Sequence, residues 1–469
     1  MDKFPPSPPK LPIIGNLHQI GDMIHRSLAK LSDKHGPLMS LQLGNKPVVV
    51  ISSAEVAREA TKNHDISFSD KPTLIATNKL FYGSKGLIFS PHGDQWRKLR
   101  SIFVNNLLHK KMIKSFKTFR DEETESLLQS LDEMSATSTP VNLTAMFKSM
   151  ANDMICKSAF GKKYRKGEEG AKIMGIIDDM VQLLVTFTAG EYIPWLSWTN
   201  RCNGFLAAID RVSKTKDELL DTRIQEYIES SSGGSKGNSF ADILLSIYRG
   251  ETPNVSIDFQ MLKAVIQDVL GAGTDTTATA LGWAMTELIR HPNIMKKLQA
   301  EVRKVMNGKQ GITDAELEKM QYLKAVIKET LRLHSPVPIG LRKTNEDVHI
   351  MGYDIPRDTM VMFNLWAICR DPACWDEPKK FRPERFLNSS LEYNGMDFHF
   401  IPFGAGRRIC PGVYFATASV EHVLANLMDK FDWKLPDGAR GEDLDIQEKP
   451  GLAVGRKNPL IVVPIKRTL

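Results

Sequence analysis

The run Phe403-Gly404-Ala405-Gly406-Arg407-Arg408-Ile409-Cys410-Pro411-Gly412 constrains this chain more than any other feature. Glycines at 404, 406 and 412 let a turn bring backbone close to something large and flat. Arg407 and Arg408 beside the cysteine suit anionic groups. A thiolate presented in such a turn, with backbone N–H groups free to point at sulfur, is a metal ligand. Cys410-Pro411 without its neighbours would read only as a buried cysteine before a turn. The five cysteines (156, 202, 369, 374 and 410) form no disulfide framework and no C-x-x-C pair. That usage suits a reducing, cytosol-facing compartment, with the other four as inert packing residues.

Three further motifs stand in a fixed order before the cysteine: Ala272-Gly273-Thr274-Asp275-Thr276-Thr277, Lys328-Glu329-Thr330-Leu331-Arg332 and Pro383-Glu384-Arg385-Phe386. Each alone is weak, since Glu and Arg three apart occur on many solvated helices. Together with the cysteine run, in this order and spacing, they resemble the cytochrome P-450 family across most of the chain. The segments Pro5–Asn16 and Phe381–Phe386 resemble its plant A-type microsomal branch. The resemblance implies a mainly α fold with a small β-rich subdomain, in which a long central helix crosses over a haem. It implies one catalytic domain over 1–469: a proline-rich hinge at 1–16 and β-rich portions at about 17–70 and 340–400. The implied cofactor is haem b (iron protoporphyrin IX), with Cys410 as its iron ligand and Phe403 beside it. Thiolate ligation favours O–O cleavage.

The periodicity supports that architecture. Residues 39–52 alternate, turn at Gly44-Asn45 and then run β-branched, which predicts a hairpin. Further β-rich stretches span about 348–363, with a turn near Pro356-Arg357-Asp358, and 460–465. The stretch 230–238 is rich in Ser and Gly and reads as a flexible surface loop. Helical periodicity dominates elsewhere. The longest helix is expected from about Asp258 to Arg290, stopped by His291-Pro292, and buried because it is apolar nearly all round. Gly271, Gly273 and the threonines predict a local opening in its middle. Thr313-Asp314-Ala315-Glu316 is a capping box.

Composition bounds the surroundings. With 469 residues, 42% apolar and 25% charged, the chain is an ordinary globular one, and no stretch approaches the ~18–20 apolar residues of a membrane span. It starts at the proline-rich hinge, where relatives carry an apolar anchor helix. The expectation is therefore a removed N-terminal anchor and a native place on the cytosolic face of the endoplasmic reticulum membrane. The net charge of +7 owes much to Arg97, Lys98, Arg100, Lys110, Lys111, Lys114, Lys117 and Arg120. Without a nucleic-acid-reading motif, this stretch fits an acidic electron-donor protein or the membrane surface.

Individual roles follow from the resemblance. Trp96, Arg100, Arg342 and Arg408 are the expected partners of the haem propionates, which cannot be buried unpaired. Leu341 stands where many relatives have proline, which puts the path of that strand in question. Glu329, Arg332 and Arg385 are expected to form a buried charge network that fixes the Cys loop. Asp275 and Thr276 are the expected catalytic pair, delivering protons to bound dioxygen through a chain; alternatively Asp275 only bonds the distorted turn. The substrate pocket is expected from 72–89, 181–198, 267–272, 337–341 and 452–454, with Leu80, Phe81, Ile88, Phe89, Val269, Ala272, Ile339, Leu452 and Val454 on its wall.

The function implied is a haem-thiolate monooxygenase. It would insert one oxygen atom from O₂ into a lipophilic plant metabolite of terpenoid, phenolic or coumarin type. No flavin or nicotinamide site is visible, so electrons must come from a separate NADPH-dependent flavoprotein reductase. Two other readings stay open. A haem-thiolate dehydratase or lyase, such as an oxime dehydratase, would turn over without O₂. A non-enzymatic haem sensor would need neither the Asp-Thr pair nor a deep apolar pocket.

Overall fold

The computed structural model describes residues 3–163, 168–231, 239–252, 255–309 and 311–467. The expected hairpin forms from Leu38–Leu43 and Lys46–Ile51, paired antiparallel. Its turn requires glycine: Gly44 has φ +58°, and a Cβ there would meet the Tyr192 carbonyl oxygen at 2.0 Å. Val48–Ile51 pairs in parallel with Met360–Phe363, and Ile339–Lys343 closes the four-stranded sheet on the other side. Leu341 leaves that last strand regular, opposite Met362. Val348–Ile350 and Tyr353–Ile355 form a separate two-stranded ribbon. The C-terminal strand Ile461–Lys466 pairs with Val141–Asn142 and Phe431–Lys434. Those two partners were not legible, being only two and four residues long.

Helices make up the rest. The central helix runs from Phe259 to Arg290, capped by Asp258, whose side chain accepts from the Met261 N–H. Its 32 residues span ~48 Å at ~1.5 Å per residue. Residues 262–270 and 280–289 are buried, while 271–279 are partly exposed except at Thr274 and Thr277. The expected local opening is absent: the helix is unbroken through Gly271–Thr277. The Thr274 hydroxyl donates to the Leu270 carbonyl (3.0 Å) and the Thr276 hydroxyl to Ala272 (2.6 Å). Both hydroxyls share the i−4 carbonyls with the helix ladder instead of displacing it.

Gly273 has a packing role. A Cβ there would lie 2.3 Å from Ile155 Cδ1, so glycine lets the helix Leu143–Phe160 cross tightly beneath the central one. The capping box at Thr313 and Glu316 is present. Most of the expected loop at 230–238 lies outside the described residues, and Ser230 and Ser231 end the helix Phe205–Ser231. No helix among the described residues is long and apolar enough to cross a membrane.

Candidate active site

The cysteine run is a closed turn. Gly404 (φ +77°) and Gly406 (φ +65°) both sit in the left-handed region, and the Cys410 N–H donates to the Phe403 carbonyl at 3.0 Å. A Cβ on Gly406 would meet Asp65 Oδ1 at 2.6 Å, so this glycine also allows the turn to dock on its neighbour. Arg407 then pairs with the same Asp65 at 2.9 Å. Burial pushes the Cys410 thiol up, against the opposing pull of the Gly412 N–H and Arg100. A buried thiol of this kind stays protonated until a metal ion takes the sulfur, which deprotonates it outright. The helix Val413–Lys430 starts immediately after, so its positive end faces the sulfur.

The Glu329 network lies behind this turn. Glu329 and Arg332 are fully buried, joined by two parallel bonds of 2.7 and 2.9 Å. Arg385 Nε adds a third to Glu329 at 3.0 Å, and the Arg382 N–H a fourth at 2.8 Å. The outer donors go to backbone carbonyls: Arg332 to Cys369 and Pro378, Arg385 to Asp376. Both guanidiniums face the Trp375 ring, which packs on Phe386 and Phe400. The network therefore ties down the meander 369–386. It reaches toward the Cys loop through Trp375 and Phe400, and through Cys369, whose carbonyl accepts from Arg332 and whose sulfur is bonded by the Ile401 backbone.

On the other side of the turn is a knot of positive charge. Arg342 donates to the Ala405 carbonyl at 3.2 Å and Arg100 to Ile409 at 2.7 Å. Arg408 donates to the carbonyls of Ser69, Ser90 and Leu87 and lies over the Trp96 ring at 4.4 Å. Lys71, which immediately precedes the stretch expected to matter, donates to the Leu341 carbonyl at 2.8 Å. Burial pulls Arg342 down to about 9, and Arg408 likewise, with Arg342 repelling it. Burial also holds Lys71 well below its ordinary value, helped by both arginines. None of Arg100, Arg342, Arg408 and Lys71 has a carboxylate partner within 4.0 Å among the described residues. The buried Trp96 Nε1 also lacks an acceptor. Four cations without an ion-pair partner among the described residues, and an orphaned donor, surround a glycine turn, and two propionates fit that need. The residues thus fit haem, with Cys410 on its iron.

Above this lies a cavity of about 290 Å³, overwhelmingly apolar. The central helix contributes two rows four residues apart: Gln267, Gly271 and Asp275, and Asp268, Ala272 and Thr276. Phe81, Ile88, Phe89, Ile339 and Leu452 line it as expected. Three expected wall residues belong to the packing instead. Val269 lies about 100° round the helix from Asp268 and packs into the main core. Leu80 is fully buried against Ile176, Phe205 and Ile209. Val454 is held by its backbone, its carbonyl accepting from Trp283 Nε1 at 2.9 Å. The roof is the helix Glu168–Val185, through Ile173, Ile176, Ile177, Met180, Val181 and Leu184. Val181 and Leu184 fall within the expected stretch 181–198, whereas Trp195 and Trp198 farther along it are exposed. The stripe at i, i+3, i+4 spacing was readable as a helix face, but not what it faces.

Asp275 has a partner that the sequence did not announce. Lys148, from the crossing helix, lies 3.4 Å from its carboxylate and also binds Asp178. Side-chain exposure falls along this chain from 53% at Asp178 to 30% at Lys148 and 19% at Asp275, so it leads inward from solvent. Burial raises the Asp275 pKa, with Lys148 opposing and Asp178 adding to the rise.

The comparisons agree with this geometry. The family model for cytochrome P450 matches residues 5–463. Cytochrome P450 736A117 of Prunus mume is 49% identical, over 98% of this chain and 90% of that protein. A tabersonine/lochnericine 19-hydroxylase of Catharanthus roseus is 44% identical, over 99% and 93%. A (+)-menthofuran synthase of Mentha piperita is also 44% identical, over 99% and 93%. A zebrafish cytochrome P450 solved with abiraterone superposes with a TM-score of 0.80 at 24% identity, over 95% of this chain and 100% of that one. A thiol in a glycine turn, cations awaiting carboxylates and an apolar chamber under a long helix are thus accounted for together: this chain belongs to the cytochrome P450 family, the haem-thiolate monooxygenases.

Proposed function

We propose that this monooxygenase oxidises a lipophilic plant specialised metabolite of terpenoid, phenolic or coumarin type. The observation that carries this reading is the apolar cavity, whose wall includes Asp275 and Thr276 of the central helix and Lys71 of the cationic cluster beside the cysteine turn. Pockets of this character hold lipophilic molecules by shape and a few polar groups. Relatives named as an oxidase, a hydroxylase and a synthase support the plant setting.

Haem, when bound, supplies the activation of O₂. Cys410 would ligate its iron, with Phe403 packed beside the turn. Arg100, Arg342, Arg408, Lys71 and the Trp96 N–H would hold its propionates. The Asp178–Lys148–Asp275 chain would bring protons from solvent to the cavity, and Thr276 would position the last donor beside the reacting oxygen. Glu329, Arg332 and Arg385 keep the proximal side folded and take no part in the reaction.

The donor of electrons is, in this reading, an NADPH-dependent flavoprotein reductase docking on the cysteine side. Lys110, Lys111 and Lys114 are exposed there, with Lys110 over the Tyr414 ring four residues beyond Cys410. Two of the expected basic residues do not serve: Arg120 is buried, donating to Ile113, and Arg100 turns into the site. A second surface suits the membrane of the endoplasmic reticulum. Ile13, Phe187, Trp195 and Trp198 are 59–63% exposed and share one region. There Tyr192 stacks on Phe187, and the Gly44–Asn45 turn bonds both Ile14 and Tyr192.

The test is turnover of lipophilic metabolites with reductase, NADPH and O₂. Product carrying one oxygen atom from ¹⁸O₂ is expected. Equal turnover without NADPH and O₂ would move the reading to a dehydratase or lyase.

A further inference from the structure

Arg407 and Arg408 stand side by side in the cysteine turn, yet only Arg408 joins the unpaired cations. Arg407 is held by Asp65, just past the helical segment Glu59–Asn63. Both Asp65 oxygens accept from the Arg407 main-chain N–H, at 3.3 and 3.2 Å, and Oδ2 also accepts from Arg407 Nε at 2.9 Å. The carboxylate thus caps the short helical turn Gly406–Arg408 that leads to Cys410. Gly406 lies against it, since a Cβ there would meet Asp65 Oδ1 at 2.6 Å and the Thr61 carbonyl oxygen at 3.0 Å. From its far end Arg407 donates to His92 Nε2 at 3.2 Å, and the His92 ring packs on Trp96. Both charges are felt in the haem cluster. Burial lowers Arg342 and Asp65 opposes it; burial and Arg342 lower Arg408, and Arg407 adds to that.

A solvated ion pair contributes little, but this one differs in two respects. The carboxylate binds backbone as well as guanidinium, and the two side chains are only 20% and 30% exposed. Reduction of haem iron adds one electron and lowers the charge of the site by one, so fixed charges around it set how readily the electron is accepted. We propose that Asp65 is a positioning residue of the cysteine turn, and that the Asp65–Arg407 pair sets the reduction potential of the haem held there. The negative member opposes reduction and the positive member favours it. Arg407 balances Asp65, so the turn is fastened without adding net charge to the cationic cluster. The potential in turn decides how far an electron from the reductase moves onto the haem. This rests on the reading of Cys410 as the haem ligand.

Asp65→Asn keeps an oxygen that can accept from the Arg407 N–H but carries no charge, and Arg407→Gln removes the opposite charge. Midpoint potentials of the haem-loaded proteins are measured by spectroelectrochemical titration. A unit charge roughly 12 Å from a redox centre, at an effective dielectric constant of ~20, changes its equilibrium about tenfold. Asp65→Asn should favour reduction by up to about tenfold, ~59 mV more positive for one electron. Arg407→Gln should disfavour it by a similar factor, and the double variant should return to within about twofold of wild type. Either substitution alone breaks the contact, so a purely structural role moves both potentials in the same direction, whereas a charge role moves them apart. Should Asp65→Asn fail to hold haem, Arg407→Gln with its negative shift and Arg407→Lys with the wild-type potential carry the test. Shifts of the same sign, shifts below about twofold in both, or loss of haem from both would overturn the inference. With the wild-type thiolate-haem spectrum intact, such a result leaves the proposed function standing. Loss of that spectrum in wild type would remove both.

Discussion

Lys148 reaches across from the helix Leu143–Phe160 to place its ammonium 3.4 Å from the Asp275 carboxylate, at the point where the central helix borders the cavity. The same lysine binds Asp178 nearer the surface. One side chain thus links a carboxylate near the surface to the cavity wall, and its removal gives a direct test of the proposed proton chain. In Lys148→Met the cation that holds Asp275 down is gone while Asp178 still repels. The Asp275 pKa should rise further, and the acid limb of the rate profile should move to higher pH. Asp275→Asn should lower kcat by roughly 10²–10⁴-fold. Product formed per NADPH consumed should fall in both variants, and unchanged coupling in both would refute the chain.

Glu329 accepts four hydrogen bonds while fully buried, so removing its charge leaves Arg332 and Arg385 uncompensated. Glu329→Gln should cost about 3–5 kcal/mol of stability, measured by urea unfolding of haem-loaded protein. The loss should appear as released haem, not as an altered product. A folded variant with normal haem content would contradict the role given to this network.

Lys71 has no carboxylate partner within ion-pair distance among the described residues and lies with Arg342 and Arg408. If the propionates complete the cluster, Lys71→Met should weaken haem binding by roughly ten- to a hundredfold, the worth of a hydrogen bond between charged groups. Transfer of haem to apomyoglobin measures this without turnover. A transfer rate equal to that of wild type would place Lys71 outside the haem site.

Asp268 gives a pH signature. Its value of about 7 in the folded chain lies above that of an unfolded aspartate near ~3.9. Between these values the folded state holds a proton that the unfolded state has released, so stability declines as pH rises through the window. The total is up to about 4 kcal/mol. Unfolding of wild type and Asp268→Asn at pH 4, 6 and 8 should show wild type losing ground steadily across the series. A constant difference between the two would contradict the buried, unpaired state of this side chain.

How much could be read without coordinates depended on the range of the interactions. The hairpin at 38–51, the central helix with its Asp258 cap and the box at Thr313–Glu316 are local, and their residues announce them. The cysteine turn was legible in part because Gly404 and Gly406 are required by positive φ, and such constraints survive in the sequence itself. Lys71 and Lys148 were not legible: each is one lysine among many, and its meaning comes from a partner far along the chain. The roof helix 168–185 carries an apolar stripe, but periodicity does not say whether a stripe meets core or chamber. Val269 was misplaced for a related reason, since a turn of about 100° separates wall from core on a helix that is apolar nearly all round. The unbroken helix at 271–277 shows threonines bonding back to the ladder, which composition cannot distinguish from breaking it.

The central claim is that Cys410 is the thiolate ligand of a haem held in the glycine turn. The absorption spectrum of the purified protein, reduced and exposed to carbon monoxide, tests it most directly. A strongly red-shifted Soret band in wild type, lost in Cys410→Ala, is the result the structure predicts. A haem band at the shorter wavelength of a neutral ligand in fresh wild-type protein, or the same red-shifted band in both proteins, would contradict it.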